Sequence, residues 1–185
     1  FVYVGTFGNT YDLNIVIQAA KYFDQSNFTN ISFLLIGQGP QFEKISQSAQ
    51  RLENVVMSGW VETNDLRALM ANCSAGILPW NSIDNAMPNK FFDYASIGLP
   101  VISSAEGELE NLINKEKIGS TFNKGDINKL IACIKEIIVN DQIQRQYSDN
   151  ITALFNEKFR EETVYTKFSE YLEQVVSEKA ASINN

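Results

Sequence analysis

Short apolar runs alternate with amphipathic stretches of helical period along most of this chain, and that alternation permits few folds. Residues 31–36, Ile-Ser-Phe-Leu-Leu-Ile, form a near-continuous apolar run stopped by Gly37, the pattern of a strand covered on both faces. Val2-Tyr3-Val4, Val55-Val56-Met57, residues 75–78 and Pro100-Val101-Ile102 repeat it, each bounded by Gly, Pro or Ser or by the chain start. Between them Leu13, Val16, Ile17 and Ala20 fall at helical spacing. Phe42, Ile45, Ala49 and Leu52 mark a second stripe, and Leu66, Leu69, Met70 and Cys73 a third. Such a β-α-β-α order with short connections predicts one Rossmann-like α/β domain, a doubly wound parallel sheet of about six strands flanked by helices. Beyond residues 118–122 the pattern turns helical. Asp126 suits an N-cap ahead of the stripe Ile127, Leu130, Ile131, Ile134 and Ile138. Residues 142–159 read as another helix, and Val164, Phe168, Tyr171, Leu172 and Val175 as a last stripe. No internal repeat or linker divides the 185 residues.

Composition matters mainly for what it excludes. A net charge of −7 argues against broad nucleic-acid binding, which needs a basic footprint to displace counterions. It does not oppose a single small phosphate site, where local amides and one lysine outweigh a distant negative surface. The chain has no histidine, which removes His-based triads and the commonest zinc sites. Cys73 and Cys133 each fall on the apolar side of an expected helix, so buried free thiols in a reducing compartment are expected. No apolar run is long enough to span a bilayer. Opening directly on a strand pattern without an initiator Met, the sequence suggests a piece of a longer chain.

In a sheet of this kind ligands bind at the carboxyl ends of the strands. The segment of residues 85–102 leads to that edge. Pro88 suits a first helical turn, and the amides around Met87, Asn89 and Lys90 would then point out of the helix start as an anion site. Lys90 adds a full charge there. Asp93, one turn on, suits a bidentate grip on two vicinal hydroxyls such as those of a ribose. Gly98 closes the helix before the next strand. The plain alternative is a solvated acidic residue on an ordinary helix start.

The run Lys90-Phe91-Phe92-Asp93-Tyr94-Ala95-Ser96-Ile97-Gly98-Leu99-Pro100-Val101-Ile102 resembles the K-x-x-E-Y-x-x-x-G-x-P-V-I signature of family 4 glycosyltransferases of GT-B fold. Further likenesses follow in order along nearly the whole chain. Val4-Gly5 with Asp12-Leu13 and Ala19-Ala20 is similar to the family's opening strand and helix. Leu35-Ile36-Gly37-Gln38-Gly39 resembles its L-I-G-x-G, and residues 54–61 its N-V-x-F-x-G-x-V. Gly107-Glu108 with Leu112-Ile113 resembles its G-E-x-x-x-L-I.

The resemblance implies the C-terminal, nucleotide-sugar-binding domain of a two-domain enzyme, with the acceptor-binding N-terminal domain as its missing partner. By position, Asp93 would grip the ribose, and the amides of Met87, Pro88's neighbour Asn89, and Lys90 would hold the diphosphate. Gly5, Thr6 and Phe7 would line the phosphate side, Gly37 and Gly39 would keep their loop low, and Val61 would meet the base. A nucleoside diphosphate sugar serves as donor substrate, with no cofactor and no metal. The implied reaction is retaining hexosyl transfer to a saccharide or lipid-linked acceptor in envelope polysaccharide synthesis, such as capsule or lipopolysaccharide. The implied location is cytoplasmic, with peripheral membrane association through the N-terminal domain.

Two departures stand out. The family's carboxylate pair has the form Glu-x7-Glu, but here Asn85 occupies the first position and Asp93 the second; Asp84 lies beside it. An amide can hydrogen-bond a sugar hydroxyl but cannot stabilise a cationic centre as a carboxylate does. Many relatives also carry Arg and Lys after the first strand, whereas residues 6–13 have neither, leaving Lys90 as the cation of the site and, with Asn85, its catalytic candidate. A non-catalytic nucleotide-sugar-binding or interaction domain on the same fold therefore stays open. A dinucleotide oxidoreductase is disfavoured, because Phe42 stands where G-x-G-x-x-G needs its third glycine.

Overall fold

In the computed structural model, which describes residues 1–26, 28, 30–82 and 87–183, the apolar runs pair into one parallel sheet. Its strands are β1 (Val2–Val4), β2 (Phe33–Ile36), β3 (Val55–Gly59), β4 (Gly76–Leu78), β5 (Val101–Ser103) and β6 (Gly119–Thr121). They stand in the order β3-β2-β1-β4-β5-β6, so the chain reverses direction across the sheet between β1 and β4. That reversal is the topological switch point, where the two loops leaving the strands part and open a crevice.

Helices α1 (Leu13–Asp24), α2 (Phe42–Ala49), α3 (Thr63–Ala71), α4 (Asn89–Ala95) and α5 (Glu108–Glu116) fill the connections. They are followed by α6 (Ile127–Val139), α7 (Asp141–Leu154) and α8 (Glu161–Ile183). α1 packs with α2 and α6, and α7 packs with α4, α5 and α6. The helix starts follow their capping residues. Asp12 accepts from the Asn14 amide at 3.1 Å, Asp126 from Lys129 at 2.9 Å and Asn140 from Ile143 at 3.1 Å.

Some local expectations shift. β3 is an edge strand, so Val56 is half exposed rather than covered on both faces. Cys73 lies beyond the end of α3 and not on its apolar stripe; the helix stops at Ala71, and the Cys73 amide bonds back to Met70 O at 3.0 Å. Both cysteines are free, and burial pushes the Cys133 thiol up to about 11. The helix expected over residues 142–159 is α7 plus a π-helical turn, Phe155–Phe159, whose Phe159 packs against Phe91 and Phe92 of α4. α8 touches the body mainly at that turn. Its stripe of Val164, Phe168, Tyr171 and Leu172 is exposed.

One buried contact fixes the switch point. β1 meets β4 through Val2 and Gly76 alone, so the outer edge of β1 loses its ladder partner by Val4. The Tyr94 hydroxyl of α4 fills the gap, accepting from the Val4 amide at 3.1 Å. Unpaired, that buried N–H would cost about 1–3 kcal/mol. The Tyr94 ring lies on Gly76, where any Cβ would strike it. α4 is thereby bolted to the two strands that frame the crevice.

Candidate functional site

The loop after β1 does not leave the sheet at once. Gly5 N–H donates to Ile36 O at 2.8 Å and Phe7 N–H to Gln38 O at 2.9 Å, so the loops after β1 and β2 continue side by side. Gly37 has φ +135, and a Cβ there would fall on the Gly5 carbonyl; a Cβ at Gly39 would fall on the Phe7 backbone. Only glycine meets both demands, and the result is a wall of bare backbone. Beside it β2 and β3 slip register between Leu35 and Ile36, and Gly37 N–H bonds to Gly59 O at 2.8 Å.

A cavity of about 280 Å³ opens on this wall. Gly5, Thr6, Gly37 and Gln38 line it, together with Trp60, Val61, Thr63 and Leu66 from just after β3 and the start of α3. A broader groove of about 560 Å³ lies elsewhere, lined by Met87, Phe92, Leu112 and Phe159. The smaller cavity is the better candidate, because it sits at the carboxyl ends of the first three strands beside the switch point.

Lys90 enters from the opposite side. Its side chain crosses Gly5 so closely that a Cβ on that residue would overlap it. The ammonium lies 3.9 Å from the centre of the Tyr11 ring and 5.7 Å from that of Tyr3. Tyr11 is itself fixed. It forms a bridge with Trp80, and the Asp12 amide and the Asn81 amide bond across to Pro79 O and Thr10 O, both at 2.8 Å. No carboxylate lies within 4 Å of Lys90 among the described residues. Burial lowers its pKa, and Asp93 partly opposes this. A cation held by aromatic faces, with no described carboxylate in contact, keeps its charge available to an anion arriving at Gly5.

Asp93 stands one turn later on α4, exposed. Desolvation raises its pKa, while Lys90 and Arg67 of α3 lower it. The expected carboxylate thus lies in the field of two cations, one from each side of the crevice. Arg67 carried no signal in the sequence, since nothing local links α3 to α4.

The residues named from sequence divide clearly. Gly5, Thr6, Gly37 and Val61 line the cavity, with Lys90 reaching Gly5 from α4. Gly39 shapes the wall from behind. Phe7 does not line the crevice: its ring is fully buried against Phe42 and Tyr3, and its amide and carbonyl bond to Gln38 and Gln41. Met87 faces the outer groove, Pro88 is buried and Asn89 is exposed. Pro88 is the N-cap of α4 and not its first helical residue, with φ −66 and ψ 134. A helix of seven residues carries little dipole, so the burden of anion attraction shifts from its amides to Lys90. Asn85 and Asp84 lie outside the described residues. Just before them in sequence, Ser82 O accepts from Lys124 at 2.7 Å, and the same ammonium stands 3.6 Å from Glu106. Sequence reasoning missed Lys124, Tyr11, Trp60 and Tyr94. No group of three Cys, Asp or Glu side chains able to hold a metal occurs among the described residues.

Residues 1–153 match the family described as glycosyl transferases group 1. A UDP-glycosyltransferase of Arabidopsis thaliana, TURAN, is 26% identical over 104 residues, covering 54% of this chain and 22% of that protein. Anabaena HepE, solved with UDP, superposes with a TM-score of 0.77 at 20% identity, over 93% of this chain and 48% of its own. Sucrose-phosphate synthase from Thermosynechococcus elongatus gives a TM-score of 0.78 at 19% identity, over 95% and 45%. At these identities the two structures establish the fold. The chain spans about half the length of either and less of the curated relative.

Proposed function

We propose, from the premise that the chain belongs to the glycosyl transferases group 1 family, that it is the donor-binding half of a retaining glycosyltransferase. The partner half, an N-terminal domain of the same chain, would bring a saccharide or lipid-linked acceptor. The observation that carries this reading is the meeting of the glycine-walled cavity with Lys90 across Gly5, at the switch point of the sheet.

The geometry suits a nucleoside diphosphate sugar laid along the crevice. The diphosphate rests against Gly5 and Thr6, where bare backbone permits close approach and the Lys90 ammonium stands ready. The ribose lies towards Asp93, whose ionised oxygens accept from two vicinal hydroxyls. The base occupies the cavity near Val61. On transfer, the bond from the anomeric carbon to the β-phosphate oxygen breaks, and negative charge collects on the leaving diphosphate, opposed by Lys90. The acceptor hydroxyl oxygen bonds the anomeric carbon from the same face, and its proton passes to the leaving diphosphate. Asn85 would hydrogen-bond a sugar hydroxyl without adding charge. Envelope polysaccharide synthesis at the inner face of a membrane is the setting that fits a lipid-linked acceptor; no described helix is long and apolar enough to cross the bilayer.

Calorimetric titration with UDP, GDP and ADP tests the donor site. The chain should bind at least one of them, and Lys90→Ala should weaken that binding by roughly ten- to a hundredfold, the scale of one charged hydrogen bond. Unchanged affinity would remove Lys90 from the diphosphate site. Joined to its N-terminal domain, a chain that binds donor but transfers no sugar would instead be a binding domain on the same fold.

A further inference from the structure

Trp60 is the most exposed of the large apolar side chains among the described residues, at 77%, whereas Trp80 is buried at 7%. An indole left in water needs a reason when it stands at a cavity mouth. Gly59, at φ +69, turns the chain at the end of β3 and delivers Trp60 and Val61 together to the cavity wall. Gly5 and Gly37 line the same cavity and offer backbone with no side chain. One cavity thus has an indole-bearing residue and two side-chain-free residues in its lining, with Gln38 and Thr63. It begins at Gly5, where Lys90 arrives, and runs away from that charge towards α3.

We propose that Trp60 is the face on which the base of the donor nucleotide stacks, so that binding buries the indole. The proposal rests on the donor-site reading above: with the diphosphate at Gly5, the far end of the same molecule falls at Trp60. A flat π system is the chemistry that covers an exposed indole at a cavity. Stacking accepts any base, because every base has a π-face. Trp60 accordingly supplies affinity, and the choice among bases falls to groups that meet the base edge.

Tryptophan fluorescence tests this directly. UDP, GDP and ADP are titrated into the chain and into Trp60→Phe and Trp60→Ala, with inorganic pyrophosphate as a probe that lacks a base. Trp60→Phe leaves Trp80 as the lone indole, so the difference between it and the parent isolates the Trp60 signal. Circular dichroism confirms that these exposed substitutions leave the fold intact. The expected result is quenching of the Trp60 signal by the nucleotide that binds and none by pyrophosphate. Trp60→Ala should lower nucleotide affinity about tenfold, the size of one base–aromatic stack, with Trp60→Phe close to the parent and pyrophosphate affinity unmoved. A nucleotide that binds in a Lys90-dependent way, yet neither quenches Trp60 nor loses affinity in Trp60→Ala, overturns the stacking role and leaves the donor site standing. Failure of all three nucleotides to bind overturns both readings.

Discussion

The two walls of the crevice are built in opposite ways. The wall after β1 and β2 is backbone, kept bare by Gly5, Gly37 and Gly39 and braced by amide bonds from one loop to the next. The α4 wall is made of side chains: Lys90 held on Tyr11, Asp93 beside it, and Tyr94 bolted to β1. At Gly37 and Gly39 the backbone wall tolerates no addition, since the atoms met are backbone that cannot move aside, whereas at Gly5 they belong to the Lys90 side chain. A side-chain wall can lose a charge and still stand. Changes in the first should therefore cost folding, and changes in the second should cost binding, except at Tyr94, which belongs to both.

The largest expected effect is at Gly37. Gly37→Ala would place a Cβ on the Gly5 carbonyl at φ +135, and strain plus overpacking should lower stability by about 3 kcal/mol or more, read by denaturant unfolding. A variant as stable as the parent would show that the loops are free to part. Tyr94→Phe comes next. It keeps the ring on Gly76 but strips the Val4 amide of its partner, for a loss of about 2 kcal/mol. Tyr94→Phe with unchanged melting would mean that water reaches Val4.

The smallest effect is in pH. Because burial lowers the Lys90 pKa, its positive charge disappears at a lower pH than that of an ordinary lysine. Nucleotide affinity should then fall on the alkaline side earlier than a normal lysine would dictate, and Lys90→Arg should push that limb to higher pH. An alkaline limb that Lys90→Arg leaves in place belongs to another group.

The same contrast governs how much could be read from sequence. The backbone wall was legible, because a glycine between an apolar strand and a helix marks a turn or a close approach, and the structure gives Gly37 and Gly39 a concrete reason to be glycine. The strand and helix order was legible for a similar reason: the periods are local. The side-chain wall was legible only as far as α4 itself runs. Lys90 and Asp93 could be named, but Tyr11 beneath Lys90 and Arg67 facing Asp93 come from distant segments. The Tyr94 hydroxyl meets an amide 90 residues away, which no local pattern encodes. Phe7 was misplaced because an aromatic residue in a loop after β1 gives no sign of which way its ring turns. Cys73 was misplaced because a stripe at helical spacing continues in sequence past the point where the helix stops.

The central claim is that one nucleotide bridges the two walls, and a crystal structure of the chain with the nucleoside diphosphate that binds it tests this most directly. The account predicts phosphate oxygens against Gly5 within hydrogen-bond reach of the Lys90 ammonium, ribose at Asp93 and the base beside Val61. A nucleotide seated instead in the outer groove lined by Met87, Leu112 and Phe159, with Lys90 making no phosphate contact, would contradict it.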